Sequence, residues 1–78
     1  MNNAFIQELT MPKDFGTRLK YARECRGLLQ KELAEKSGVS VTSLGGWESG
    51  KFTPTLFMAT AVADVLKVSL DWLAGRVD

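Results

Sequence analysis

Few residues of this 78-residue chain could do catalytic chemistry, because it has no histidine and a single cysteine, Cys25. Nucleophilic catalysis needs a base, most often histidine, and a zinc site needs several thiols or imidazoles. The spacing Gly45-x-x-x-x-Gly50-Lys51 matches part of a phosphate-binding loop, but Phe52 stands where that motif requires Ser or Thr. We therefore expect no enzyme, no metal site and no cofactor.

The charged residues are unevenly distributed along the chain. Residues 13–51 hold eight Lys and Arg residues against five Asp and Glu residues, a net charge of +3, whereas the whole chain carries +1. A basic segment suits a polyanionic partner. A solvated surface of mixed charge accounts for the same counts, so charge alone leaves both interpretations open.

The apolar spacing predicts a single all-α domain, with 45% hydrophobic and 24% charged residues. Five helices are expected, with no strand. The first follows Asp14 and ends near Gly27, and the second covers 30–38 with Leu33 and Ala34 inward. The remaining starts and stops are Ser40 and Gly50 for the third helix, Thr53 or Thr55 with Pro54 for the fourth, and Ser69 for the fifth.

The two ends of the chain are predicted to lie outside this domain. Residues 1–12 form an N-terminal arm ending in Pro12, and residues 77–78 form a C-terminal tail around the 13–76 domain. The N-terminus lacks the features of a signal peptide, and no apolar run is long enough for a membrane span. A protein of a reducing, bacterial-type cytoplasm is expected.

The second and third predicted helices are separated only by Gly38, Val39 and Ser40. A short glycine-bearing turn between two helices is the helix-turn-helix arrangement, in which glycine supplies the left-handed conformation and Val39 packs beneath the turn. By spacing alone, ordinary helix packing is as good an explanation as DNA reading.

Four segments together resemble the lambda-repressor-like helix-turn-helix family (XRE/Cro-C1 type) of phage repressors and bacterial regulators. They are Gln30-x-x-Leu33-Ala34, Gly38-Val39-Ser40, Trp47-Glu48-x-Gly50 and Val68-Ser69-x-Asp71-Trp72-Leu73. The resemblance covers residues 13–76. It implies a compact five-helix domain that binds double-stranded operator DNA, usually as a symmetric dimer, with the third helix in the major groove.

The resemblance also assigns roles to residues. Gln30 and Lys51 match phosphate contacts, and Val41, Thr42 and Gly46 match positions that face base edges. Arg23 and Glu48 match a buried ion pair that joins the first helix to the third. The full set of expected DNA-binding residues is Gln30, Lys31, Ser40, Val41, Thr42, Ser43, Gly46 and Lys51.

The chain departs from the family pattern at the start of the second helix and within the third. Leu29 replaces a capping Ser or Thr, at a cost of roughly 1 kcal/mol. Gly45 and Gly46 replace polar residues and weaken the helix by about 2 kcal/mol together. Two explanations of the glycine pair remain open: the backbone of the third helix approaches DNA closely, or the protein does not require strong discrimination between bases. In both cases Gly46→Gln is expected to raise stability and change operator preference.

The fourth predicted helix is unusually apolar. Leu56, Ala59, Ala63 and Leu66 form an inward stripe. A second apolar side indicates either a helix buried on several sides or a self-association surface shared with Leu73. The expected residues of that dimer or partner surface are Phe57, Met58, Ala61, Val65 and Trp72.

These features together predict a sequence-specific transcriptional regulator, a repressor of phage or mobile-element type that binds an inverted-repeat operator as a homodimer at the nucleoid. The alternative from a different class is a protein-interaction or dimerisation module, for example antitoxin-like, with weakened DNA reading and a protein partner.

Overall fold

The computed structural model describes residues 12–78, and all regular structure in this range is helical, which confirms the all-α prediction. Residues 1–11, most of the predicted arm, lie outside the described residues. No helix in the described range is long and apolar enough to cross a membrane. The five helices are α1 (Phe15–Cys25), α2 (Gln30–Ser37), α3 (Val41–Ser49), α4 (Leu56–Leu66) and α5 (Leu70–Leu73).

Local hydrogen bonds set most helix starts. The Asp14 carboxylate accepts from the Thr17 amide at 3.0 Å and from the Thr17 hydroxyl at 2.6 Å, and these bonds lower the pKa of Asp14. Ser40 caps α3, Ser69 caps α5, and Thr55 rather than Thr53 caps α4. Because each cap acts within three residues, the sequence alone predicts the starts at Asp14, Ser40 and Ser69, and it narrows the start of α4 to two threonines, of which Thr55 is the cap.

The starts and ends of α2 and α3 follow the predicted glycine and leucine signals. Gly38 and Gly50 have φ values of +73° and +79° and end α2 and α3 in the left-handed conformation. At the start of α2 the Leu29 side chain makes no capping bond, as expected. Glu32 compensates in part, because its Oε1 accepts from the Leu29 amide at 2.8 Å.

The core lies where α1, α2, α3 and α4 meet and is closed by α5. Its fully buried aliphatic side chains are Leu19, Leu33, Leu44, Val62, Leu66 and Leu73, and Trp47 is 3% exposed. The predicted inward position of Leu56 is wrong, since its side chain is 70% exposed. Leu56 is the first residue of α4 and borders an open groove, whereas Val62, about one and two-thirds turns later, reaches the core.

A buried arginine joins the two ends of the described chain. The Arg18 guanidinium donates to the carbonyls of Pro12 at 2.7 Å, Trp72 at 2.8 Å and Val77 at 2.7 Å, and it lies 4.9 Å from the centre of the Trp72 ring. Arg18 is 1% exposed. Because three carbonyls and an aromatic face replace water around the charge, α1 and α5 are tied together at this point.

Candidate nucleic-acid interface

Helix α3 is held against α1 through an unusually close backbone contact. A Cβ atom placed on Gly16 would lie 2.6 Å from the Trp47 carbonyl oxygen and 2.7 Å from that of Glu48. Only glycine therefore fits at this point of α1. The sequence did contain a signal, because a glycine in the first turn of an amphipathic helix costs about 1 kcal/mol and needs a compensating reason.

The predicted ion pair joins α1 to α3. Arg23 Nε donates to Glu48 Oε2 at 2.6 Å, and Arg23 Nη2 donates to Glu48 Oε1 at 3.0 Å. The two side chains are only 9% and 4% exposed. The hydrogen bond to Glu48 raises the pKa of the Arg23 guanidinium, which therefore stays charged. Arg23 Nη1 also donates to the Leu28 carbonyl at 2.7 Å, so this pair fixes the orientation of α3.

Gln30 extends this network to the start of α2. Its Nε2 donates to Glu48 Oε1 at 3.0 Å. Since a carboxylate only accepts, the bond fixes the amide so that Oε1 is directed elsewhere, and it lies 3.7 Å from the Cβ position of Gly45. Gln30 is half-buried, with one face on the protein and one on solvent.

The outward face of α3 begins with two exposed residues. Val41 is 45% exposed and Thr42 is also exposed. At the helix start, the Ser40 hydroxyl accepts from the Ser43 amide at 3.0 Å and donates to the Ser43 hydroxyl at 2.8 Å. Ser40 and Ser43 therefore shape the start of α3, which leaves Val41 and Thr42 as the outward side chains of this turn.

Two lysines flank this face. Lys31 lies on the first turn of α2, and Lys51 follows α3; both are exposed. The Lys51 amide donates to the Gly46 carbonyl at 2.9 Å, which folds the chain back beside α3. Lys31 thus follows Gln30 directly at the start of α2, and Lys51 lies just past the end of α3 opposite to Val41 and Thr42.

Gly46 does not offer the open position that the sequence predicted. It is buried, and a Cβ atom there would overlap Cζ and Cε2 of the Phe52 ring and lie 2.9 Å from Cε1. The path of the chain after Gly50 brings Phe52 over this position, and no local signal in α3 reveals it. Gly46→Gln would have to displace the Phe52 ring, so the expected gain in stability requires this ring to move aside and stays a prediction. Gly45 is the more open glycine of the pair.

The predicted partner surface is only partly exposed. Phe57 is 86% exposed and Met58 is 40% exposed, and they adjoin Leu56 at the start of α4. Ala61, Val65 and Trp72 are half-buried, with Val65 and Trp72 packed against the core. Leu73 is fully buried, so its predicted share in this surface is wrong. The short helix α5 turns Leu73 toward the core instead.

An apolar groove of about 400 Å³ extends this surface. It lies between the starts of α1 and α4 and the short helix α5. Its lining residues are Phe15, Thr53, Pro54, Thr55, Leu56, Ala59, Leu70 and Ala74. Together with Leu56, Phe57 and Met58 it forms what we call the α4 apolar surface.

Two helices joined by a three-residue turn, with the second helix held by α1 and open on its outer face, define a helix-turn-helix DNA-binding domain. Comparison with known proteins agrees. A family model described as helix-turn-helix matches residues 19–73. The chain belongs to this helix-turn-helix family, in its lambda-repressor-like (XRE/Cro-C1) form.

One relative is a phage repressor. The transcriptional repressor RstR of the cryptic phage CTXphi in Vibrio cholerae is 37% identical over 59 residues, 76% of this chain and 53% of RstR. The chain thus spans about half the length of that relative.

Two solved structures share the fold. The P22 c2 repressor, crystallised with a synthetic operator, is 26% identical with a TM-score of 0.76, over 80% of this chain and 94% of that one. The restriction-modification controller protein C.AhdI of Aeromonas hydrophila is 34% identical with a TM-score of 0.72, over 76% and 89% of the two chains.

Proposed function

We propose that this protein is a sequence-specific transcriptional repressor of phage or mobile-element type, which places α3 in the major groove of its operator. The observation that carries the proposal is the α2–turn–α3 unit, which the Arg23–Glu48 pair ties to α1. Val41 and Thr42 are exposed at the start of α3, and the exposed cations Lys31 and Lys51 lie on α2 and just after α3. The similarity to RstR and to the operator-bound P22 c2 repressor supports it.

The proposed contacts divide into two kinds. Lys31, Lys51 and Gln30 hold phosphates, and Ser40 lies at the α3 start, where phosphate and groove meet. Because Leu29 does not cap α2, amides of the first turn are left to bind a phosphate. Val41 and Thr42 read base edges, chiefly thymine methyls, with DNA shape adding discrimination. Ser43, half-buried, supports this turn.

A dimer would explain how a small domain reads a full operator. We propose that the α4 apolar surface is the self-association site, because Leu56 and Phe57 are 70% and 86% exposed and adjoin an apolar groove. Half-buried Ala61, Val65 and Trp72 would contribute at its border. Two α3 helices would then enter successive major grooves about 34 Å apart. Bound there, the dimer would exclude polymerase from a promoter in the nucleoid.

The dimer is tested by sedimentation equilibrium of the wild type and Phe57→Ser. Fully burying a phenylalanine contributes about 1.5–3 kcal/mol, so its loss should raise the dissociation constant at least about tenfold. Tyr21→Ser, which alters an aromatic of α1 that is 49% exposed, is the matched control and should leave self-association unchanged. Equal dissociation constants for both variants would place the dimer contact elsewhere.

A second candidate is a protein-interaction module with weak DNA reading. Two observations favour it: Gly45 carries no side chain toward solvent, and the α4 apolar surface suits a protein partner as well as a second copy. Two observations count against it: Lys51 is an exposed cation just after α3, and Gln30 keeps a second Nε2 N–H beyond the one it donates to Glu48.

Selection of bound sequences from a random duplex library, at low and at physiological salt, separates these functions. A repressor should enrich an inverted repeat with half-sites about one helical turn apart, and its affinity should fall steeply with salt. Failure to enrich any sequence at either salt, with a folded protein, would favour the interaction module.

A further inference from the structure

Phe52 occupies the space that a side chain at position 46 would fill. A Cβ atom built on Gly46 points into the Phe52 ring and overlaps its outer atoms. Gly46 lies one turn after Thr42 on α3, so the ring covers the continuation of the face that begins with Thr42. Although Gly46 has no side chain, this turn of α3 does carry an aromatic group on its surface, because the Phe52 ring lies over it.

The backbone after α3 explains this placement. Gly50 adopts φ +79°, and the Gly50 and Lys51 amides donate to the carbonyls of Trp47 at 3.3 Å and Gly46 at 2.9 Å. This left-handed turn reverses the chain, so residue 52 returns along the helix that has just ended. Glycine at 46 permits the return, since any larger side chain would meet the ring.

Phe52 is not a core residue. It is 49% exposed and is absent from the buried apolar cluster and from the side chains packed against it. Its contact with Gly46 thus leaves half of an apolar ring in solvent, directly after Lys51. A ring held by backbone on one side and open on the other is suited to binding an apolar group.

We propose that Phe52 is a specificity-determining residue that contacts the C5-methyl group of a thymine in the major groove. This inference rests on the proposed DNA-binding function. An aromatic side chain makes apolar contact with this methyl, which no other base presents in unmodified DNA. Because phenylalanine has no donor or acceptor, the reading depends on the methyl group alone. Lys51 on a neighbouring phosphate would hold the ring at the groove.

Replacing thymine by uracil tests this directly, because uracil keeps the base pair and lacks the methyl. The wild-type protein is titrated with its selected duplex and with duplexes carrying uracil at one thymine at a time. At one thymine per half-site, uracil should weaken binding about fourfold, which corresponds to about 0.8 kcal/mol for one methyl. The uracil series needs no protein variant, so misfolding cannot obscure it.

The Phe52→Ala variant then tests whether Phe52 is the residue that contacts the thymine methyl group. This variant should bind the thymine and uracil duplexes equally at that position, while melting close to the wild type. Tyr21→Ala is the matched control, since Tyr21 has the same 49% exposure but lies on α1, and it should keep the wild-type ratio of affinities.

Each other result has a definite meaning. A wild type indifferent to every uracil, or a Phe52→Ala variant that keeps the thymine preference, would overturn the assignment of Phe52 while leaving DNA binding intact. If Phe52→Ala keeps the thymine preference, Val41 or Thr42 would be the residue that contacts the methyl group. A folded wild type that binds no duplex selectively would overturn the proposed function and this inference with it.

Discussion

Loss of the Glu48 carboxylate is the most informative perturbation of the scaffold. Glu48→Ala removes the acceptor of three N–H groups, two from Arg23 and one from Gln30, at 2.6, 3.0 and 3.0 Å. The Arg23 side chain is 9% exposed. After the substitution only the Leu28 carbonyl, at 2.7 Å, still accepts from its guanidinium. A buried charge is then left without its counter-charge.

The expected cost is large for a chain of 78 residues. Removing one partner of a buried ion pair destabilises a protein by about 3–5 kcal/mol, against a typical total of about 5–15 kcal/mol. The guanidinium does not relieve this by losing its proton, because arginine stays charged in proteins even without a counter-charge. With about 4–8 °C per kcal/mol for a domain of this size, the melting temperature should fall by roughly 12 °C or more.

Urea unfolding followed by tryptophan fluorescence measures this cost, since Trp47 is 3% exposed and reports on the core. The control is Asp71→Ala, which breaks a surface pair with Arg76 whose side chains are 66% and 76% exposed. That change should cost at most about 1 kcal/mol.

A double variant, Arg23→Met with Glu48→Leu, should cost clearly less than the two single changes added together, because no unpaired charge remains. If Glu48→Ala costs no more than the Asp71→Ala control, or if the two single costs simply add, then the pair does not hold α3 as we argue.

Three further predictions concern stability, pH and salt. Gly16→Ala should lower the free energy of unfolding by about 1–3 kcal/mol, because its Cβ meets backbone carbonyls, whereas Gly45→Ala should raise it by up to about 1 kcal/mol, because its Cβ has room. Hydrogen bonds from Thr17 lower the pKa of Asp14 in the folded state, so its contribution is present above the unfolded-state pKa and is lost as pH falls through the folded-state pKa. Melting curves at decreasing pH should therefore fall less for Asp14→Asn than for the wild type. Lys51→Gln should reduce the salt slope of DNA binding by about one unit per half-site in filter-binding titrations.

The same measurements can contradict these predictions. A Gly16→Ala variant as stable as the wild type would mean that α1 and α3 are not in close contact at Gly16, and a loss of stability in Gly45→Ala would mean that its Cβ lacks room. An acid response unchanged by Asp14→Asn would remove its bonds to Thr17 as the cause. For the salt slope, Lys36→Gln on the far end of α2 is the matched control, and a wild-type slope for Lys51→Gln would remove Lys51 from the phosphate contacts.

Much of the fold could be predicted from the sequence, because the signals that start and stop helices act over three or four residues. Ser40 and Ser69 cap the helices that follow them, and Gly38 and Gly50 end helices in the conformation that glycine favours. The Arg23–Glu48 pair also followed from the sequence, through its resemblance to a family whose spacing this chain keeps.

Local sequence signals could not predict the burial of three residues, because their surroundings come from distant parts of the chain. These are Gly46, Leu56 and Arg18. Gly46 lies on the outer side of α3 by helical period, yet a loop that turns back at Gly50 lays Phe52 over it. Leu56 has the apolar type of a core residue, but the first turn of α4 borders an open groove.

Arg18 is the opposite case to Leu56, because it is a charged residue that tertiary packing buries. A charged residue in a basic segment is expected at the surface, yet this one is buried because carbonyls at positions 12, 72 and 77 converge on it. The sequence by itself determined the helices, their order and the family, since these depend on local caps, apolar period and spacing. Which side chains face DNA, a partner or the core was decided only by tertiary packing, since it depends on segments far apart in the chain.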